Sequence, residues 1–403
     1  MAQQAAERRI LIWMCVLVGV NQLGFGAVVP TLPLYARSFG VPVAAIGMAI
    51  AAYGLARLLM AAPAGQISDR FGRRQALALG GLITAAGNAW CALATDFPEF
   101  VVARFLAGAG AGLVVTAGQI VLADITTPER RGRMMAIYQG SFIFAAGVGP
   151  LPGGLLAEWG GLRAPFTAYA IAGLLVGLVA WFAVGETREL ARARRPAGAA
   201  ALPPFTAQIR LLGAHTGFML VCLVSLVNAA TRTGGLFNIV PLIGSEQLGL
   251  SVTAVGFAMA LGSVVGLVVA YPAGWLADRF GRKAVIVPSA FVTAAAMLLF
   301  GLAPDYVWFI AASLAWGLSS GIGGAAPATY AADAAPPGMN ATTMSMFRMV
   351  GDIGYVAGPV ALGLITDFYG TLAGLLVAAT LLTLSGALFA VFAPETYRGR
   401  APS

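Results

Sequence analysis

Five ionisable side chains sit inside long apolar runs, and their types and spacing decide which chemistry to look for. Arg57, Arg104, Arg232 and Arg348 are basic, and Asp352 is the one carboxylate near the centre of such a run. A charge at membrane depth is costly and marks function by default. Asp352 follows Arg348 by four residues, so on a helix the two share a face and are spaced to pair. Such a carboxylate can take up and release a proton, because burial raises its pKa and a nearby arginine lowers it. At 1.5 Å per residue, Asp352 lies about 18 Å into its run and Arg57 about 15 Å into its own. Arg104 precedes Gly108 and Gly112 by four and eight residues, which puts all three on one helix face. The glycines then admit a close neighbour while the arginine faces the interior.

The elements that hold these residues cannot form a water-soluble surface. Of 403 residues, 59% are hydrophobic and 10% charged, with mean hydropathy +0.85; a soluble domain carries about 25% charged residues. A spanning helix needs about 20 apolar residues, and twelve runs qualify, which predicts an all-α membrane protein. The first reaches from roughly 10 to 35, too long for a signal-peptide core, and the seventh covers roughly 216–240. Pro30, Gly234 and Gly235 are expected bend points where irregular backbone can line a cavity. The alternating ten-residue segments of a membrane barrel are absent.

Other chemistries find no support. Cys15, Cys91 and Cys222 lie inside apolar runs and imply no disulfide framework, and with the lone His215 they make no zinc pattern. Gly108 to Gly112 lacks the strand–turn–helix context and following Lys-Ser or Lys-Thr of a nucleotide loop. The chain is therefore read as no enzyme, with no metal and no cofactor. Its net charge of +8 does not imply a nucleic-acid partner, because the basic residues cluster between apolar runs as the positive-inside rule requires. With the N-terminus in the cytoplasm, 18 of the 24 Arg and Lys residues fall on the cytoplasmic side. Both termini are expected there, in a multi-pass protein of the inner (plasma) membrane.

The charged loop Gly65-Gln66-Ile67-Ser68-Asp69-Arg70-Phe71-Gly72-Arg73-Arg74 recurs 209 positions later as Gly274-Trp275-Leu276-Ala277-Asp278-Arg279-Phe280-Gly281-Arg282-Lys283. Pro63 and Pro272, Gly108 and Gly317, Asp124 and Asp333, Pro150 and Pro359, and Glu186 and Glu395 keep the same offset. Only the first span of each half drifts from it. Residues 1–185 and 216–403 thus read as two six-helix repeats joined by a basic linker over 186–215. An even number of spans per half gives the repeats one orientation, the parallel-repeat design of a transporter with a site between halves.

These motifs resemble the major facilitator superfamily over the whole chain. Gly65 to Arg74 resembles its loop 2–3 signature, Arg104 to Gly112 its fourth-helix motif, and Leu23-Gly24 with Pro30 and Pro33 a first-helix motif of its 12-span drug:proton antiporter branch. Gly147, Gly149, Pro150, Gly153 and Gly154 resemble the fifth-helix antiporter motif. The resemblance implies the major facilitator fold and proton-coupled efflux of small amphipathic compounds by monomers in the lipid bilayer. A symporter or uniporter for a metabolite or organic anion is the alternative; a membrane receptor or integral membrane enzyme is the reading from another class. It further implies that Gly65, Asp69, Arg70, Gly72, Arg73, Asp124 and Arg131, with Asp278, Arg279, Gly281 and Arg282, hold a cytoplasmic gate. In the resembled fold spans 2 and 11 meet, so Asp352 would exchange Arg348 for Arg57. A permanent buried ion pair and proton coupling both fit these residues. Asn21, Gln22, Phe25, Arg104, Gln119, Tyr138, Phe142, Asn228 and Arg232 are the expected cavity residues, Arg104 fitting gating, proton relay or plain packing alike.

Overall fold

In lipid, an apolar run satisfies its backbone groups by closing them into helix. The computed structural model describes residues 2–126, 128–187, 210–324, 326–336 and 339–396. Among them, twelve helices are long and apolar enough to cross a membrane, and no strand occurs. Spans 1 to 6 are Arg8–Val28, Val43–Ala61, Arg73–Leu93, Phe97–Ile125, Ile137–Gly160 and Ala164–Ala183. Spans 7 to 12 are Thr216–Gln247, Val252–Ala277, Lys283–Leu302, Tyr306–Asp333, Thr342–Tyr369 and Thr371–Phe392. Most of the expected linker, at 188–209, lies outside the described residues.

The 209-residue repeat is present in the backbone itself. Every described glycine with positive φ has a counterpart at that distance: Gly40 and Gly249, Gly72 (109°) and Gly281 (100°), Gly161 and Gly370. At Gly72 and Gly281 a side chain would be strained, and an added Cβ would also meet the carboxylate of Glu186 or Glu395. Pro63 and Pro272 each lie inside a 29-residue helix, Val43–Phe71 and Val252–Phe280. Asp96 and Asp305 cap the starts of spans 4 and 10, accepting from Glu99 N at 2.8 Å and Val307 N at 2.9 Å.

Four of the described spans depart from a single straight α-helix; in span 10 the helix Tyr306–Gly323 is followed by Ala326–Asp333. The first helix ends at Val28, and a turn leads to the short helix Leu32–Arg37. The continuous run expected to about 35 is therefore interrupted, because Pro30 lacks the N–H a continuing helix needs. Span 5 divides at Gly149 into Pro128–Val148 and Pro150–Gly160 for the same reason. Span 7 is α-helical over Thr216–Ala230, then winds as π-helix over Thr231–Ile239 and again over Ile243–Gln247. Gly234 and Gly235 thus widen the helix rather than break it, and the span runs on to Gln247 instead of ending near 240.

The chain gathers into two compact units. Unit 1 is Met1–Val41, Met48–Ala199 and Ser251–Ala260; unit 2 is Pro42–Gly47, Ala200–Leu250 and Leu261–Ser403. Each includes the opening turns of one span from the other repeat. Within unit 1, Glu158 accepts from Thr253 N at 3.2 Å. Within unit 2, Asp367 accepts from Val43 N at 2.7 Å and Ala44 N at 2.8 Å. A carboxylate at a helix start satisfies orphan N–H groups and complements the helix dipole. Met14, Leu77, Leu113 and Val176 centre the apolar core of unit 1, and Phe218, Ile286, Tyr330 and Phe389 that of unit 2.

Candidate functional site

In unit 1 the glycine face of span 4 brings two helices into backbone contact. A Cβ on Gly108 would lie 2.8 Å from Tyr53 Cα, and one on Gly112 would lie 3.0 Å from Arg57 Cα. One turn before Gly108, Arg104 is carried against Tyr53, its guanidinium carbon 4.4 Å from the ring centre. Arg104 is 1% exposed. The Tyr53 and Tyr169 hydroxyls lie 3.1 Å apart, Tyr169 donates to Asn21 Oδ1 at 3.5 Å, and Asn21 Nδ2 donates to Gln22 Oε1 at 3.2 Å. Phe25 stacks on the Tyr53 ring with centroids 5.4 Å apart. Asn21, Gln22, Phe25 and Arg104, expected to line a cavity, therefore form one buried polar and aromatic chain.

Other expected cavity residues lie elsewhere. Tyr138 is fully buried in the apolar core of unit 1, and its hydroxyl donates to Val115 O at 3.3 Å. Its ring packs under Gly118, where an added Cβ would lie 2.7 Å from the hydroxyl. Phe142 packs half-buried on the same core, and Gln119 is half-buried. In unit 2, Asn228 donates to Val224 O of its own helix at 3.0 Å. Arg232 is exposed, its guanidinium 5.7 Å from the Phe237 ring centre. On the helix Asn340–Tyr369, Arg348 is exposed and Asp352 half-buried; Arg57 is half-buried on span 2.

The charged loops are built twice. Buried Arg73 pairs through Nη1 with Asp69 at 2.8 Å and through Nε with Asp124 at 2.8 Å, and donates to Ser68 O at 3.0 Å. Thr187 donates to the same Asp124 oxygen at 3.1 Å. Glu186 accepts from the backbone N–H groups of Arg73 and Arg74, at 3.0 and 3.3 Å, where span 3 begins. In unit 2, Arg282 pairs with Asp333 at 3.2 Å and Thr396 donates to that aspartate at 3.5 Å. Glu395 accepts from the N–H groups of Arg282 and Lys283, at 3.1 and 3.0 Å. Arg70 lies 5.4 Å from the Phe71 ring centre and Arg279 5.1 Å from that of Trp275; an added Cβ on Gly65 would meet nothing within 4 Å. The side chains of Arg131 and Asp278 lie outside the described residues.

Span 5 packs through its glycines. Gly149 lies against Gly26, where an added Cβ would come within 2.7 Å of the facing Cα, and Gly153 lies against the Ala27 backbone. Gly154 lies against Thr253, which belongs to the same compact unit. Small residues at such positions let membrane helices approach closely.

Sequence reasoning passed over Glu186, Glu395, Glu158 and Asp367 as helix caps, and Tyr53 and Tyr169 as partners of the buried arginine. The repeat offset alone could have flagged the carboxylates, since 158 and 367, like 186 and 395, stand 209 apart. Among the described residues, no group of three or more His, Cys, Asp or Glu side chains could hold a metal ion.

The sequence model of the Major Facilitator Superfamily matches residues 14–245 and 221–403. The chain belongs to the Major Facilitator Superfamily. Among its relatives is an uncharacterised MFS-type transporter, MJ1560, of Methanocaldococcus jannaschii, 22% identical over 89% of this chain and 91% of that protein. The multidrug resistance protein MdtL of Klebsiella pneumoniae is 25% identical over 73% of each chain. A bacterial homologue of the human lysosomal transporter Spinster, solved in an inward-facing and occupied conformation, superposes with a TM-score of 0.78. It is 18% identical, over 94% of this chain and 95% of that one. The family and fold are those of membrane transporters, not enzymes. For a Major Facilitator transporter, a small-molecule substrate and twelve membrane-spanning helices follow.

Proposed function

We propose that this transporter is a proton-coupled exporter of small amphipathic compounds, working by alternating access with both termini in the cytoplasm. Asp352 carries the reading: it is a half-buried carboxylate twelve residues into a 30-residue spanning helix. A carboxylate kept there at such cost has a coupling role. Arg348, one turn earlier on the same helix, is spaced to pair with it, and a proton takes the place of that pairing in the other state of the cycle. Proton and substrate then bias the same two-state equilibrium and compete, because a ligand shifts states only through differential affinity. The name of the MdtL relative and the Gly149-Pro150 break of span 5 support export. The Asp69–Arg73–Asp124 cluster and its counterpart at Arg282 and Asp333 serve as the cytoplasmic gate. The arginine excess on one side supports that orientation.

Substrate-dependent proton flux in proteoliposomes tests the proposal. Proton movement opposed to the substrate is expected; parallel movement, or none, overturns it. Asp352→Asn should fold and bind substrate as the wild type does, yet lose all uphill transport driven by a proton gradient. If that variant still concentrates substrate, the coupling assignment is wrong.

A further inference from the structure

We infer that Arg104 is the docking point for a carboxylate on the substrate, and that the transported class includes organic anions with a planar aromatic part. The inference rests on the transporter reading and names a substrate chemistry for it. Arg104 is 1% exposed, and its Nε and Nη1 are buried with no hydrogen-bond partner among the described residues. Its guanidinium carbon stands 4.4 Å from the centre of the Tyr53 ring. Even when desolvated, a cation–π contact offsets only part of what burying an uncompensated ion costs. Something anionic must therefore complete the site in the working cycle.

Among the described residues, unit 1 does not supply that anion. Each of its six described carboxylates is engaged elsewhere: Asp69 and Asp124 with Arg73, Glu186 at the start of span 3, Asp96 and Glu99 at the start of span 4, and Glu158 on Thr253 N. In the second repeat the same glycine packing forms without an arginine. The repeat-related position holds Ser313, and there Gly317 and Gly321 still pack against the Gly262 and Gly266 backbones. The surroundings fit an aromatic carboxylate. A guanidinium presents donors in a fork that matches two carboxylate oxygens, Tyr53 and Tyr169 add hydroxyls, and the half-buried Phe25 ring, stacked on Tyr53, is the aromatic surface beside them.

Three ligands of one shape test this: 2-naphthoate, 2-naphthamide and 2-naphthylmethylammonium, titrated calorimetrically into the full chain in lipid nanodiscs. Naphthoate should bind at least tenfold tighter than the amide and the ammonium, roughly the discrimination a charge-assisted pair confers. Arg104→Gln should erase that preference, and Arg104→Lys, which keeps the charge without the fork, should retain part of it. No naphthoate binding, equal affinity for all three, or an undiminished preference in Arg104→Gln overturns the inference. Circular dichroism and the Lys variant separate loss of the site from loss of the fold. If gradient-driven export of a cationic dye persists while naphthoate shows no preference, the anion site falls and the exporter stands. If naphthoate binds through Arg104 but no proton-driven transport occurs, the anion site stands and proton-coupled export falls.

Discussion

Gly108 and Gly112 in the first repeat, and Gly317 and Gly321 in the second, make the same kind of helix contact, yet the residues they face differ. The first pair meets Tyr53 and Arg57; the second meets Gly262 and Gly266. Arg104 in one repeat is Ser313 in the other, and Tyr169 is Ala378. The charged loops differ far less: Arg73, Asp124, Glu186 and Thr187 reappear as Arg282, Asp333, Glu395 and Thr396 with the same bonding pattern. What both repeats keep is framework and hinge. Arg104, Tyr53 and Tyr169 have no counterpart of their own type in the second repeat, whereas the loop cluster is built twice.

Variants made in pairs can break or sharpen that contrast. The largest effect is expected in the loops, where the two copies are unequal in burial. The Arg73 side chain is 6% exposed and bridges two aspartates; that of Arg282 is 15% exposed, and its partner Asp333 is 35% exposed. Arg73→Ala should cost about 3 kcal/mol by stranding buried Asp124, and Arg282→Ala about 1 kcal/mol, read from unfolding of the purified protein in detergent. Equal losses would show the first loop is no tighter than the second. Gly108→Ala and Gly317→Ala come next, at about 2 kcal/mol each, because both added methyl groups meet backbone that cannot turn aside. A clear inequality between them would mean the helix contact is not shared framework. The smallest effect belongs to Glu186→Gln and Glu395→Gln, about 1 kcal/mol apiece in thermal unfolding, since each swaps a charged acceptor for a neutral one at a helix start. No loss in either would reduce these carboxylates to passive neighbours.

Much of the fold was legible because its determinants are local. Run length marks a span, Pro30 and Pro150 mark two places where a helix yields, and Asp124 and Arg73 could be grouped because their loops repeat together. The centre of unit 1 was only half visible. Arg104, Asn21, Gln22 and Phe25 stood out as polar or motif residues, but Tyr53 and Tyr169 looked like ordinary aromatic packing. Tyr169 meets Tyr53 across 116 residues, a distance no periodicity encodes. Glu186 was missed as a cap because its partners are backbone N–H groups 113 and 112 residues earlier, and main-chain donors leave no trace in residue types. Tyr138 is the converse: its hydroxyl sits on a buried main-chain carbonyl, which residue type alone does not reveal.

The π-helical winding of span 7 explains why the opening spans alone lose the repeat register. Gly149 and Gly358 stand 209 apart, but the residues they pack against, Gly26 and Ala230, stand 204 apart. By Gly40 and Gly249 the spacing is 209 again. Five more residues therefore lie between those landmarks in the second repeat than in the first, and the wide turns at Thr231–Ile239 and Ile243–Gln247 fall in that interval. A π turn takes an extra residue without leaving the helix. The five-residue difference between the halves is thus held as winding within a membrane-spanning helix rather than as a loop outside it.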